Sequence, residues 1–203
     1  MSGKRKIFVL GILVLLLIGG GCFWWWKYYE TPPEKWDEAK YSKPEDYEII
    51  ETPEGTFVEN KKAGLSFKVP EGWRVEKKNK KQIFLFSSGA IEKNLYIMET
   101  GCRIFPVVLY NINTSIETLR EELNKSMWRP HLVTIEVINI DGHKALKYTA
   151  ESSEFYRIGV SVPIQNFIFT KSRVYSFGLD SAPKDKEKCI QEFEQFLNTI
   201  SIK

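Results

Sequence analysis

The sequence predicts an α+β domain, a central antiparallel sheet with helices packed on it, preceded by one transmembrane helix. Three observations predict this. Residues 7–26 are a run of 20 residues without a charge, directly after Lys4-Arg5-Lys6. From about Gly55 onward, short stretches alternate apolar and polar residues at period 2, the sign of half-buried strands. Two stretches, near residues 114 and 181, instead repeat apolar residues every three to four positions, as amphipathic helices do.

The anchor comes first. At about 1.5 Å per residue, residues 7–26 span roughly 30 Å, the thickness of a bilayer core. Basic residues precede the run and the flank beyond Lys27 is more acidic, so the N-terminus is expected in the cytoplasm and the rest of the chain outside it. Trp24, Trp25, Trp26, Tyr28 and Tyr29 fit an aromatic belt at the outer interface. A cleaved signal peptide has a shorter apolar region and a small-residue cleavage site; the continuation into three tryptophans favours retention. Gly19-Gly20-Gly21-Cys22 loosely resembles a bacterial lipobox, which would make Cys22 a lipidation site, but that pattern wants Leu or a similar residue where Gly19 stands.

Charge narrows the function classes. The chain has 29 basic and 26 acidic residues; removing Lys4, Arg5 and Lys6 leaves 26 of each, so the outer portion is neutral. Nucleic-acid binding needs a basic face to displace counterions from phosphate, and a neutral domain gives no reason to propose it.

Residues 27–55 are expected as a tether, broken by Pro32-Pro33 and Pro44, and 56–203 as the extracytoplasmic domain. Within that domain, Leu65-Ser66-Phe67-Lys68-Val69 alternates as a strand, and Pro70-Glu71-Gly72 turns the chain into Trp73. Residues 82–88 and 95–100 read as further strands, and the apolar run 104–110 as a buried one whose Pro106 argues for an edge or a bulge. Thr114-Ser115-Ile116-Glu117 has the form of a capping box, followed by the stripe Ile116, Leu119, Leu123 and Met127; Arg129-Pro130 ends that helix. Residues 133–140 and 143–150 flank Asp141-Gly142, the dipeptide best suited to a two-residue hairpin. Ile158, Val160, Val162 and Ile164 alternate along the next strand, and Tyr175, Phe177 and Leu179 along the last. Ser181-Ala182-Pro183 opens a terminal helix with the serine as N-cap, its inner stripe Ile190, Phe193, Leu197 and Ile200 widened by Cys189 and Phe196.

Three pieces in this order carry a resemblance: residues 64–73 (GLSFKVPEGW), residues 138–145 (INIDGHKA), and the last strand and helix closing on Ser201-Ile202. Together they resemble the PsbP-like superfamily over about residues 56–203. The resemblance implies a central antiparallel sheet sandwiched by helices, an α/β/α sandwich, in a binding or assembly module of the bacterial membrane-anchored or lipoprotein type. Nothing in the sequence marks the photosynthetic branch.

No catalytic or metal-ligating set is assembled. His131 follows the first helix and His143 flanks the hairpin turn; metal sites usually need three or four ligands. Glu121-Glu122 point in different directions on a helix, which does not suit paired acid/base work. Residues 77–81 form a basic cluster, read as a solvated hairpin tip, or else as a contact for an anionic partner. Outside the cytoplasm thiols persist as disulfides, so Cys102 and Cys189 are candidates for a bridge; the other reading of Cys189 is a buried thiol beside its helix's inner stripe. The expectation is a membrane-tethered binding or assembly module with a protein partner at the membrane, no nucleic acid and no cofactor. The alternatives are a small-ligand domain with an aromatic-lined sheet pocket or, least supported, a hydrolase.

Overall fold

A computed structural model of the chain describes residues 40–203, apart from 79–81, 95–96, 113, 127–132 and 151–163. The expected transmembrane helix, Cys22, the tether up to residue 39, Met127 and His131 lie outside the described residues. Among the described residues no helix is long and apolar enough to cross a membrane.

Seven antiparallel strands form the main sheet: β4 (Arg74–Lys78), β5 (Gln82–Phe86), β8 (Cys102–Tyr110), β9 (Val133–Ile140), β10 (His143–Ala150), β11 (Ile164–Phe169) and β12 (Arg173–Ser181). Their spatial order is β4-β5-β8-β12-β11-β10-β9. A smaller sheet, ordered β1-β2-β3-β13, joins β1 (Glu48–Thr52), β2 (Gly55–Asn60), β3 (Leu65–Lys68) and β13 (Ser201–Ile202). A hairpin of β6 (Ile91–Asn94) and β7 (Ile97–Thr100) stands apart from both. The helices are α1 (Ile116–Ser126) and α2 (Lys186–Leu197).

Alternation divides each main strand between two faces. Ile83, Leu85, Cys102, Ile104, Val108, Tyr175, Phe177 and Leu179 point to one face and form the principal core with Val58, Leu65, Phe67, Cys189, Phe193 and Phe196. The small sheet and α2 therefore share that face. Phe67, Phe177, Phe193 and Phe196 meet there with ring centroids 5.3–6.3 Å apart, the offset and edge-on spacing aromatic pairs favour. The other face carries Phe84, Phe86 and Phe105, which pack with Ala90, Met98 and Ala182 beneath the β6–β7 hairpin; α1 contacts β10. Phe105 lies across from Gly178 in the β8–β12 register, and any Cβ at Gly178 would fall inside its ring. That glycine exists to admit the ring.

Several expectations are met. Asp141 and Gly142 both take positive φ, as a type I′ hairpin turn requires. The terminal helix buries Cys189, Phe193, Phe196 and Leu197. Others need correction. The tether does not run to residue 55: Ser42, Pro44 and Tyr47 are buried, and β1 is already in the small sheet. The entering chain explains Pro106 as well. β5 pairs with β8 only at Leu85–Ile104 and Phe86–Arg103, leaving the rest of that edge open. Tyr41 bridges Leu109, and Ser42 exchanges bonds with Val108, so the entry segment caps part of the edge beyond Pro106. The helix caps also move. Ser115, not Thr114, accepts the Thr118 N–H and caps α1. Ser181 closes β12, a 3-10 turn Pro183–Asp185 follows, and no side chain caps α2. Of the strand expected through Ile158, Val160, Val162 and Ile164, the first three residues lie outside the described residues, and β11 runs from Ile164 to Phe169.

Candidate functional site

The second face of the main sheet holds a chain of ion pairs that the sequence did not announce. Arg103 and Asp180 stand directly opposite in the β8–β12 register, and their side chains pair, Nε to carboxylate at 3.0 Å. Arg103 also pairs with Glu92 of β6, and Glu92 pairs with Lys78 of β4. Lys78 lies 3.8 Å from Glu76, which binds Arg74 at 2.7 Å. Three cations and three carboxylates thus alternate without net charge. Phe84 and Phe86 form the floor, with Arg103 over the first ring and Arg74 and Lys78 over the second, at 4.6–5.1 Å from the centroids. Such placement adds cation–π attraction to the ion pairs.

The Arg103 side chain is only 5% exposed, so its charge depends on these partners. Burial pushes the Asp180 carboxyl up, against the pull of Arg103. Glu92 is also penalised by burial, but Lys78 and Arg103 together hold it below the usual carboxylate range. Chemically the arrangement is a saturated lock that pins the β6–β7 hairpin to the sheet. It was legible only as two charges, Arg103 and Asp180, interrupting apolar strands.

Beside it, α2 is stapled to β8. Cys102 and Cys189 form a disulfide, with Cα atoms 5.6 Å apart, and both residues are buried. At the rim lies a cleft of about 180 Å³, lined by Ser87, Ser88, Thr100, Lys184, Asp185 and Lys188. Its carboxylate is engaged: Asp185 accepts the Gly101 N–H at 2.7 Å. The lining is polar, unlike the aromatic pocket considered from sequence, and the phenylalanines near α2 fill the core instead.

A third polar cluster holds the entering chain. Tyr47 and Ser42 share a 2.8 Å hydrogen bond, and Asn60 donates to the Tyr110 hydroxyl at 3.4 Å. Tyr175 donates to the Ala63 carbonyl at 2.6 Å, which also accepts from Arg173. Burial pushes the Tyr47 hydroxyl well up, so it stays protonated and can donate.

The remaining candidates are scattered. His143 is half-buried beside its turn. Lys77, itself exposed, donates to the Tyr47 carbonyl at 2.7 Å and Lys78 belongs to the ion-pair chain, while Lys80 and Lys81 of the basic cluster lie outside the described residues. Glu121 is exposed on α1. Among the described residues no group of three or more His, Cys, Asp or Glu side chains is placed to hold a metal.

No family model matches the chain, and no curated protein matches it. Solved structures do. One is LpqN, involved in cell envelope biogenesis of Mycobacterium tuberculosis, with 9% identity over 80% of this chain and 91% of that one, TM-score 0.44. Another is the solution structure of cyanobacterial PsbP (CyanoP) from Synechocystis sp. PCC 6803, with 13% identity over 86% and 99%, TM-score 0.40. The second of these is a PsbP protein, of the family the sequence resembles. At these values neither says anything of this chain's activity or partners.

Proposed function

We propose that the chain is a single-pass, membrane-tethered module whose folded unit lies outside the cytoplasm and works by binding or assembly. The reading assigns the anchor to residues 1–26, the tether to 27–39 and the working unit to 40–203. The observation that carries it is the Cys102–Cys189 disulfide, joined to a chain that opens with three basic residues and a 20-residue apolar run. Disulfides persist in oxidising compartments, and the run has the length and flanks of an export signal that stays in the bilayer.

Two features favour binding over chemistry. The charged groups on the second face are consumed by one another, which builds a rigid surface rather than a reactive one. A tether also confines a binder to its site of assembly and raises its effective concentration for a partner in the same membrane. That partner is expected to be a protein; the neutral outer portion gives no reason to propose nucleic acid.

Protease added to intact cells tests the placement. The expected result is loss of the folded unit, with a membrane-bound fragment retaining residues 7–26. A soluble mature form beginning beyond residue 26, or a unit protected until the cells are lysed, would refute it.

A further inference from the structure

The two sheets end on four edges, and three are guarded. β1 carries Glu48 and Glu51, β13 is two residues long, and β4 carries Arg74, Lys77 and Lys78. Charges and short length are the usual protections against pairing with another chain. β9 is the least guarded of the four. It is eight residues long, has no proline, no basic residue and one charge, Glu136, and pairs with β10 without a bulge. Thr134, Glu136, Val137 and Asn139 are exposed, and Val137 at 55% is the most exposed large apolar side chain among the described residues. No described strand pairs on its outer side.

We propose that β9 is an interface at which two copies of this chain pair their edges antiparallel, joining their main sheets about a two-fold axis. An open strand edge presents backbone donors and acceptors, so its occupant is another strand. The strand's own sequence suits a second copy. A two-fold perpendicular to the sheet pairs residues that share a face, so it must centre on a residue. Centred on Glu136, it would set two carboxylates face to face, which is destabilising. Centred on Val137, it pairs Val137 with itself, Glu136 with Ile138, Ile135 with Asn139 and Thr134 with Ile140. That register covers the exposed valine and leaves each Glu136 beside Lys147, its direct cross-strand neighbour in β10. The proposal deepens the binding-module reading and rests on it only for the tether, which concentrates copies in one membrane.

The test uses the full chain in detergent micelles, with Cys22→Ser as background so that the native disulfide is the remaining cysteine pair. Val137→Cys should form a disulfide-linked dimer on mild oxidation, because Cα atoms of directly opposite residues lie about 4.5–5.5 Å apart, within the span a disulfide bridges. Asn139→Cys should not, because its two copies fall four residues out of step, about 13 Å along the strands. Val137→Lys should sediment as a monomer where the parent sediments as a dimer, and should keep a cooperative thermal transition. Equal crosslinking at both positions, a Val137→Lys dimer, a monomeric parent, or capture of a different protein by Val137→Cys in native membranes would each overturn the proposal. A folded unit that resists protease in intact cells would defeat the outward placement and leave the crosslinking result standing.

Discussion

Removing the Cys102–Cys189 bridge should cost this protein much of its stability. The bridge closes a loop of 87 residues. In the chain-entropy treatment, a loop of that length restricts the unfolded chain by about 4–5 kcal/mol at 25 °C. Both cysteines are buried, at 1% and 0% exposure, so truncation to alanine adds lost packing of about 1 kcal/mol per site. Single domains are stable by about 5–15 kcal/mol, so the loss is a large share of the total. The assay is urea unfolding of the full chain in mild detergent, comparing the parent with Cys102→Ala, Cys189→Ala and the double variant. Either single substitution already opens the bridge, so the singles should each come within about 1–2 kcal/mol of the double. Full additivity is expected only of independent sites. Additive singles, or a double variant within about 1 kcal/mol of the parent, would refute the reasoning.

Three further outcomes follow from particular side chains. Asn166 is fully buried on β11, and its side-chain nitrogen and oxygen have no hydrogen-bond partner among the described residues; Asn166→Leu, of similar size, should raise stability by about 1–2 kcal/mol in thermal melts. Glu92→Gln should cost about 2 kcal/mol at pH 7 by removing one of the carboxylate partners of each of Arg103 and Lys78. Because the folded-state pKa of Glu92 lies below its unfolded value, that contribution is present above the ordinary carboxylate range and fades as pH falls through the folded value; the variant and parent should converge in acid unfolding curves. A chain whose folded unit starts at residue 56 loses β1, the buried Tyr47 and the Ser42 bonds to β8, and should show no cooperative melting transition, whereas a start at residue 40 should keep it.

What could be read beforehand was what is encoded locally. The Asp141-Gly142 turn is legible because only certain dipeptides tolerate two positive φ angles in succession. The inner face of α2 is legible because burial repeats with the helical period. β1 and β6 were not, because their sequences, EIIET and IEKN, pair in structures that bury little of them and show no alternation. Pro106 read correctly as incompatible with a fully paired strand, yet only the topology shows that β5 stops short of it. The ion-pair chain was hidden for the same reason: Arg103 and Asp180 are 77 residues apart, and the β8–β12 register alone brings them together. Cys102 and Cys189 could be named as a pair, but not brought within bonding distance, before β8 and α2 were placed on one face.

The most direct test of the account is the redox state of the protein as cells make it. Intact cells are treated with a membrane-permeant alkylating agent, the membrane fraction is denatured without reductant, and the peptides are mapped by mass. The account predicts a linked peptide joining Cys102 to Cys189, neither of them alkylated, in chains that still carry residues 7–26. Two alkylated thiols at these positions in the folded, membrane-bound protein would contradict it.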